Sequence, residues 1–157
     1  MKQLVITLST CLPLLLMCSA CSAKQQMENS FQLQTLSYTE ALLAYRNADR
    51  DENYRCIHQI ANDQYKANSA AKPIAIVIDD ALYLKLDGRL LELEQTESNE
   101  KTAHFISNTA NVEAGYSIIK QFNFSEYNES DDRHVDFWVK TPSGKQQLKT
   151  FGNRCGI

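Results

Sequence analysis

Glycine and proline are scarce in this chain of 157 residues, which has five and three of them, and neither occurs between Lys24 and Lys72. Segments made of loops and hairpins usually place such residues at their turns, so the gap favours helix there. Five glycines form neither a phosphate-cradling loop nor a Gly-x-Ser-x-Gly elbow. Histidine is scarcer: His58, His104 and His134 are the only three, and none falls in a metalloprotease or triad pattern. His134 and Asp136 would share one face of a strand, but a metal site needs a third ligand, and none is in evidence. Asp79 with Asp80, and Asp131 with Asp132, lack the calcium-loop spacing and its central Gly, so both pairs read as turns. These absences point to a protein that is not an enzyme and that carries no cofactor or metal.

An excess of positive charge is also missing. Sixteen basic against nineteen acidic residues leave a net charge of −3, whereas a nucleic-acid partner requires a basic face that releases phosphate counterions. Lys140, Lys145, Lys149 and Arg154 are spread along the chain with uncharged residues between them. No apolar run is long enough for a membrane-spanning helix, which needs roughly 20 residues. A composition of 43% hydrophobic and 22% charged residues is ordinary for one globular domain.

The longest apolar run does have an address. Lys2 supplies a positive start, and Leu4 to Met17, about 14 residues, ends in small residues, which is the order of a secretory leader. The exit, LLLMCSACSAK, resembles the lipobox of bacterial lipoproteins. Ser19 and Ala20 occupy the two positions before Cys21, and Cys18 stands where that family usually has Leu. The resemblance implies a diacylglycerol on Cys21, which becomes the mature N-terminus. Ser22, in place of the Asp that favours inner-membrane retention, implies sorting to the outer membrane of a Gram-negative cell. The domain would then face the periplasm. Cleavage by a conventional leader peptidase after Ala20 or Ala23 would instead release a soluble periplasmic protein. A redox or zinc pair of Cys18 and Cys21 is disfavoured, since an export segment offers no folded scaffold. The expected organisation is a leader over 1–20, a lipidated tether over 21–35 and a single domain over 36–157.

Three of the five cysteines lie in the leader region, which leaves Cys56 and Cys155. An even number in an oxidising compartment predicts a disulfide. It would close a loop of about 100 residues, to which the chain-entropy model assigns roughly 4 to 5 kcal/mol.

Along the mature chain, Ser37 with Glu40 makes a capping-box signature, followed by an apolar stripe of Ala41, Leu42, Ala44, Tyr45 and Ala48. Asp49 with Glu52 predicts a second helix through Tyr54, Ile57, Ile60, Ala61 and Tyr65. The alternative is a strand over Tyr54 to Ile60, with Tyr54, Cys56, His58 and Ile60 on one face. After Pro73 the pattern changes to strands. Ile74 to Ile78 is β-branched and apolar, and Leu82, Leu84 and Leu86 alternate with Tyr83, Lys85 and Asp87. Asp87 and Gly88 then signal a tight hairpin turn into Leu91 and Leu93. Further strands are expected at Thr102 to Ser107, Tyr116 to Phe124, His134 to Thr141 and Gln146 to Phe151. Asn128 to Asp132 is expected as a polar loop, and Pro142 to Gly144 as a turn. The predicted class is α+β: a helical N-terminal segment, then an antiparallel meander able to close into a small barrel. Phe137 and Trp138 are adjacent, so on a strand they must point to opposite faces.

Tyr54 to Cys56, the stretch LKLDG at Leu84 to Gly88, Gly115 with Tyr116, and the terminal Cys155 loosely resemble membrane-anchored inhibitors of c-type lysozyme. That resemblance implies an antiparallel barrel stapled between its first and last strands. It also implies a loop bearing Ser and Lys that enters the enzyme's cleft, and it nominates Ser117 and Lys120 as partner-binding residues. The leading functional expectation is broader: an outer-membrane lipoprotein whose non-catalytic domain binds or supports an envelope partner. Lysozyme inhibition is the alternative, and an envelope hydrolase is a third reading that would need a deep cleft with converging histidines or carboxylates.

Overall fold

The computed structural model describes residues 31–68 and 70–157. The expected leader, the acceptor Cys21 and Ser22 lie outside the described residues. A short strand, β1 (Leu33–Gln34), and one helix, α1 (Tyr38–Arg46), precede eight strands. These are β2 (Arg55–Ile60), β3 (Pro73–Ile78), β4 (Ala81–Leu86), β5 (Arg89–Ser98), β6 (Thr102–Ser107), β7 (Val112–Phe122), β8 (Ser130–Thr141) and β9 (Gly144–Gly156). Each pairs antiparallel with its neighbour in sequence, and β9 pairs back onto β2, so β2 to β9 form a closed eight-stranded barrel. Closure leaves no free barrel edge to recruit another strand.

The interior is filled. Cys56, Val77, Leu82, Leu84, Leu93, Phe105, Ala114, Tyr116, Val135, Phe137 and Val139 belong to one buried cluster. A second cluster lies on the outside of β3 and β4, where Ile76, Ile78, Ala81 and Tyr83 pack against Ala41 and Tyr45 of α1. Helix α1 thus explains why both faces of β3 and β4 are apolar: one faces the lumen and the other lies under the helix. Ser37 caps the helix by accepting from the Glu40 N–H at 3.1 Å. The Glu40 carboxylate accepts from Lys85 on β4 at 3.0 Å, and that partner holds its pKa down.

Asp87 and Gly88 make the β4–β5 hairpin turn with φ of 49° and 82°. Both lie in the left-handed region, as a tight two-residue hairpin turn requires. The packed domain begins earlier than 36. Phe31 is buried, Leu33 pairs with Leu86, and the Gln32 N–H donates to Asp87 Oδ1 at 2.9 Å. Residues 31 to 35 therefore belong to the barrel's packing, not to a tether.

Two further expectations are corrected. The second helix, Asp49 to Tyr65, does not form, and the strand alternative holds in part: β2 runs from Arg55 to Ile60 with Cys56 and His58 facing inward, whereas a bulge between His58 and Gln59 takes Ile60 off that face and leaves it exposed. The missing glycines misled because the turns use other residues. Asp49 and Tyr65 take φ of 54° and 57°, and six of the eight non-glycine residues with positive φ among the described residues are Asp or Asn. The Asn128 to Asp132 loop is shorter than expected, because β8 already begins at Ser130. Asp131 is a buried strand residue instead of a turn residue.

Candidate functional site

The lumen contains a small polar system among its apolar side chains. His58 is fully buried, with its Nδ1 3.4 Å from Thr150 Oγ1 and its Nε2 without a partner. Burial, helped by the charge of Arg133, lowers its pKa to about 3, so the ring is neutral at ordinary pH. Toward the disulfide, Arg133 donates to Asp131 at 2.5 and 3.3 Å and to the Tyr54 hydroxyl at 3.0 Å. Gln121 Nε2 donates to Asp131 Oδ2 at 2.7 Å, sharing that oxygen with Arg133. Burial is the largest single influence and opposes the Arg133 charge, but the hydrogen bond to Asp131 together with the fields of Tyr54, Asp131 and Tyr116 outweighs it and raises the guanidinium pKa. Arg133, Asp131, Tyr54 and Gln121 satisfy one another, and this system serves the fold.

The outer face of β7, β8 and β9 differs in character. Strand alternation puts His134, Asp136 and Trp138 outside while Arg133, Val135 and Phe137 point in. The expected split of Phe137 and Trp138 is found: Phe137 is buried and Trp138 is half-buried on the outer surface. Cross-strand register then fixes the neighbours. Ser117, Asp136 and Lys149 form one row across the three strands, and Gly115, Trp138 and Gln147 form the next. Lys120 lies opposite His134 beyond a bulge in β7, and His134 lies opposite Phe151.

Gly115 has a specific role in this row. A Cβ there would stand 2.7 Å from the Ala103 carbonyl oxygen and 2.7 Å from Trp138 Cζ2. The missing side chain lets the indole lie against the strand. Lys145 places its ammonium 4.9 Å from the indole centroid, and the His104 ring is 5.4 Å away at a tilt.

On the other side, Tyr65 reaches back from the β2–β3 connection. Its ring stacks on His134 at 5.0 Å with planes 8° apart, and its hydroxyl donates to Asp136 Oδ1 at 2.6 Å. That hydrogen bond pushes the Tyr65 pKa up to about 12. Phe122 meets His134 edge-on at 4.8 Å. Partial burial and the nearby Lys120 ammonium hold the His134 pKa below its usual value.

Between this connection and the strands is an open hollow of about 610 Å³, lined by Ala61, Asp63, Ser117, Asp136, Trp138, Gln147 and Lys149. Lys149 donates to the Asp63 carbonyl at 3.2 Å. Among the described residues, Ser117 Oγ, the Gln147 amide and Asp136 Oδ2 have no hydrogen-bond partner, so they are free to meet a ligand.

Ser117 and Lys120 thus share one outer face, but they lie within strand β7 and not in a projecting loop. His134 and Asp136 do share a face, engaged with Tyr65, and among the described residues no three metal-ligating side chains converge. Sequence reasoning missed Tyr65 because its segment was read as helix. It missed Gly115 beneath Trp138 because only the strand register shows that pairing. Compared with family models, curated proteins and solved structures, the chain matches none.

Proposed function

We propose that the protein is a non-catalytic binding domain of the bacterial envelope, held at the outer membrane through a lipid on Cys21, with its working surface on the outer face of β7 to β9. The observation that carries this reading is the filled lumen beside a hollow lined by half-buried aromatic and unpaired polar groups. A packed barrel leaves recognition to its outer surface. The β1 end, where the chain enters from residue 30, lies beside the β4–β5 turn. A photo-crosslinking residue in place of Lys120 should give discrete adducts in intact cells, while the same residue in place of exposed Arg46 on α1 should give none. Equal labelling at both positions, or at neither, removes the reading.

Lysozyme inhibition is a second reading. It is favoured by the Cys56–Cys155 bond, which joins the first and last strands of the barrel, as the resemblance implies. Micromolar protein should then slow cell-wall hydrolysis by c-type lysozyme, and Lys120→Ala should relieve the inhibition. If lysozyme is not slowed, this second reading fails while the broader one stands.

A further inference from the structure

We infer that the hollow beside Trp138 is a glycan-binding site, suited to a short oligosaccharide of two or three pyranose rings. The inference deepens the binding reading of this face and rests on it. A pyranose has an apolar C–H face and a girdle of hydroxyl or acetamido groups. A protein recognises it by laying an aromatic ring against the first and placing planar hydrogen-bonding groups around the second. Both parts are present. Trp138 lies against Gly115, whose absent side chain leaves room for the ring, and the Lys145 ammonium, 4.9 Å from the indole centroid on an exposed and flexible side chain, is the group a stacking pyranose would displace. On one side the indole is flanked by the Gln147 amide, its direct cross-strand neighbour, and on the other side of the hollow are Ser117 Oγ and the Asp136 carboxylate.

Those polar groups offer the mixed chemistry that a hydroxyl girdle needs, since each sugar hydroxyl both donates and accepts. The Asp136 carboxylate accepts, the Gln147 amide does both, and Ser117 does both. Asp136 is also held in place, because Tyr65 donates to its Oδ1 at 2.6 Å while Oδ2 keeps its acceptor capacity at the lining of the hollow. The fixed position lowers the ordering cost of binding. Charge does not favour polyanions or phosphates: Asp63 and Asp136 line the hollow and balance Lys149, which already donates to the Asp63 carbonyl, and Lys145, which sits beside the indole. The volume of about 610 Å³ is within the range of small-molecule sites. Its openness to solvent along the sheet suits a chain of sugars over a compact ligand.

The test uses an unusual convenience, since Trp138 is the single tryptophan of the chain. Its emission reports this site alone. Full-length protein in detergent should show a saturable change in tryptophan emission on titration with chitotriose, an N-acetylated probe of cell-wall type, or with maltotriose, an unsubstituted probe of storage or capsular type. Which probe acts identifies the source of the glycan. Gln147→Ala and Ser117→Ala leave the indole in place, and each should weaken binding about tenfold, the loss expected for one hydrogen bond worth about 1.4 kcal/mol. Unchanged emission with both sugars at millimolar concentration overturns the inference. So does wild-type affinity in both variants, because the emission change would then not arise from the hollow. A positive crosslink at position 120 with silent tryptophan emission would sink the glycan site while leaving the binding reading intact.

Discussion

Cys56 on β2 is disulfide-bonded to Cys155 on β9, and the bond crosses the seam where the chain's first and last barrel strands meet. Gly152 packs beneath it: a Cβ at that position would lie 3.0 Å from Cys155 Sγ and 3.3 Å from Cys56 Sγ. The C-terminal strand is therefore fixed to the start of the barrel covalently as well as by its ladder. The sequence separation of 99 between the two cysteines makes the closed loop long, which is where a cross-link restricts the unfolded chain most.

The first prediction concerns that bond. Reduction, or Cys56→Ser, should lower stability by about 2 to 5 kcal/mol in denaturant titrations. Non-reducing gels should show a faster band for the wild type that disappears in Cys56→Ser. Identical mobility of the two proteins without reductant would mean that the bond does not form in the cell.

A second prediction concerns Asp131 and Arg133, which form a nearly buried ion pair at 2.5 Å. Asp131→Asn removes the charge opposite the guanidinium but keeps the shape. Leaving a buried cation uncompensated costs about 3 to 5 kcal/mol. Here Tyr54 remains as an acceptor for Arg133, so we expect about 2 to 3 kcal/mol in chemical unfolding. The double variant Asp131→Leu with Arg133→Met should recover most of that loss. A double variant less stable than Asp131→Asn alone would show that the two residues contribute through something other than their mutual charge.

Legibility in the sequence divided along physical lines. Local rules were sufficient where backbone conformation was set by neighbours: the Asp87–Gly88 turn, the Ser37 cap, the alternation of Leu82, Leu84 and Leu86, and the opposed faces of Phe137 and Trp138. They failed where the chain used an uncommon residue for a common purpose. Turns built on residues other than glycine, such as Asp49 and Tyr65 in left-handed conformation, leave Asp49 to Tyr65 without punctuation, so helix and strand patterns compete there in the sequence. The barrel's closure was visible only as an expectation, because pairing of β2 with β9 is a contact between opposite ends of the chain. The face carrying Trp138 was illegible for a related reason. Its rows are made of residues from three strands, and a bulge in β7 between Ile118 and Lys120 shifts the register within it.

The third prediction tests the seat of Trp138. Gly115→Val introduces atoms into space held by the indole and by the Ala103 carbonyl, each 2.7 Å from the new Cβ. The carbonyl belongs to the neighbouring strand and cannot yield, so the ring must leave. We expect red-shifted tryptophan emission and a loss of about 1 to 3 kcal/mol from overpacking. Unchanged emission would show that the ring does not rest on Gly115 in solution.

A fourth prediction addresses the anchor. Cys21→Ala should abolish incorporation of labelled fatty acid and move the protein from the membrane fraction to the soluble periplasm. Retention of label in that variant would exclude lipidation at Cys21, and would leave Cys18 to be tested in the same way.

The last prediction comes from His58. Its folded pKa, near 3, is well below that of an exposed imidazole because the ring is enclosed by the barrel beside Tyr116 and Phe137. The unfolded chain therefore binds a proton that the folded chain refuses. Stability is undiminished above the unfolded pKa of about 6.5 and falls as pH drops from there towards 3. The full effect of a shift of this size approaches about 4 to 5 kcal/mol, reached only near the low end of that window. Carboxylates titrate in the same range, so the informative quantity is a difference between proteins. His58→Leu should be less steeply destabilised than the wild type between about pH 6.5 and pH 4, where the imidazole contributes most. If the two stability profiles run parallel across that interval, His58 takes up its proton without opening the barrel, and the lumen is wetter around Nε2 than its complete burial implies.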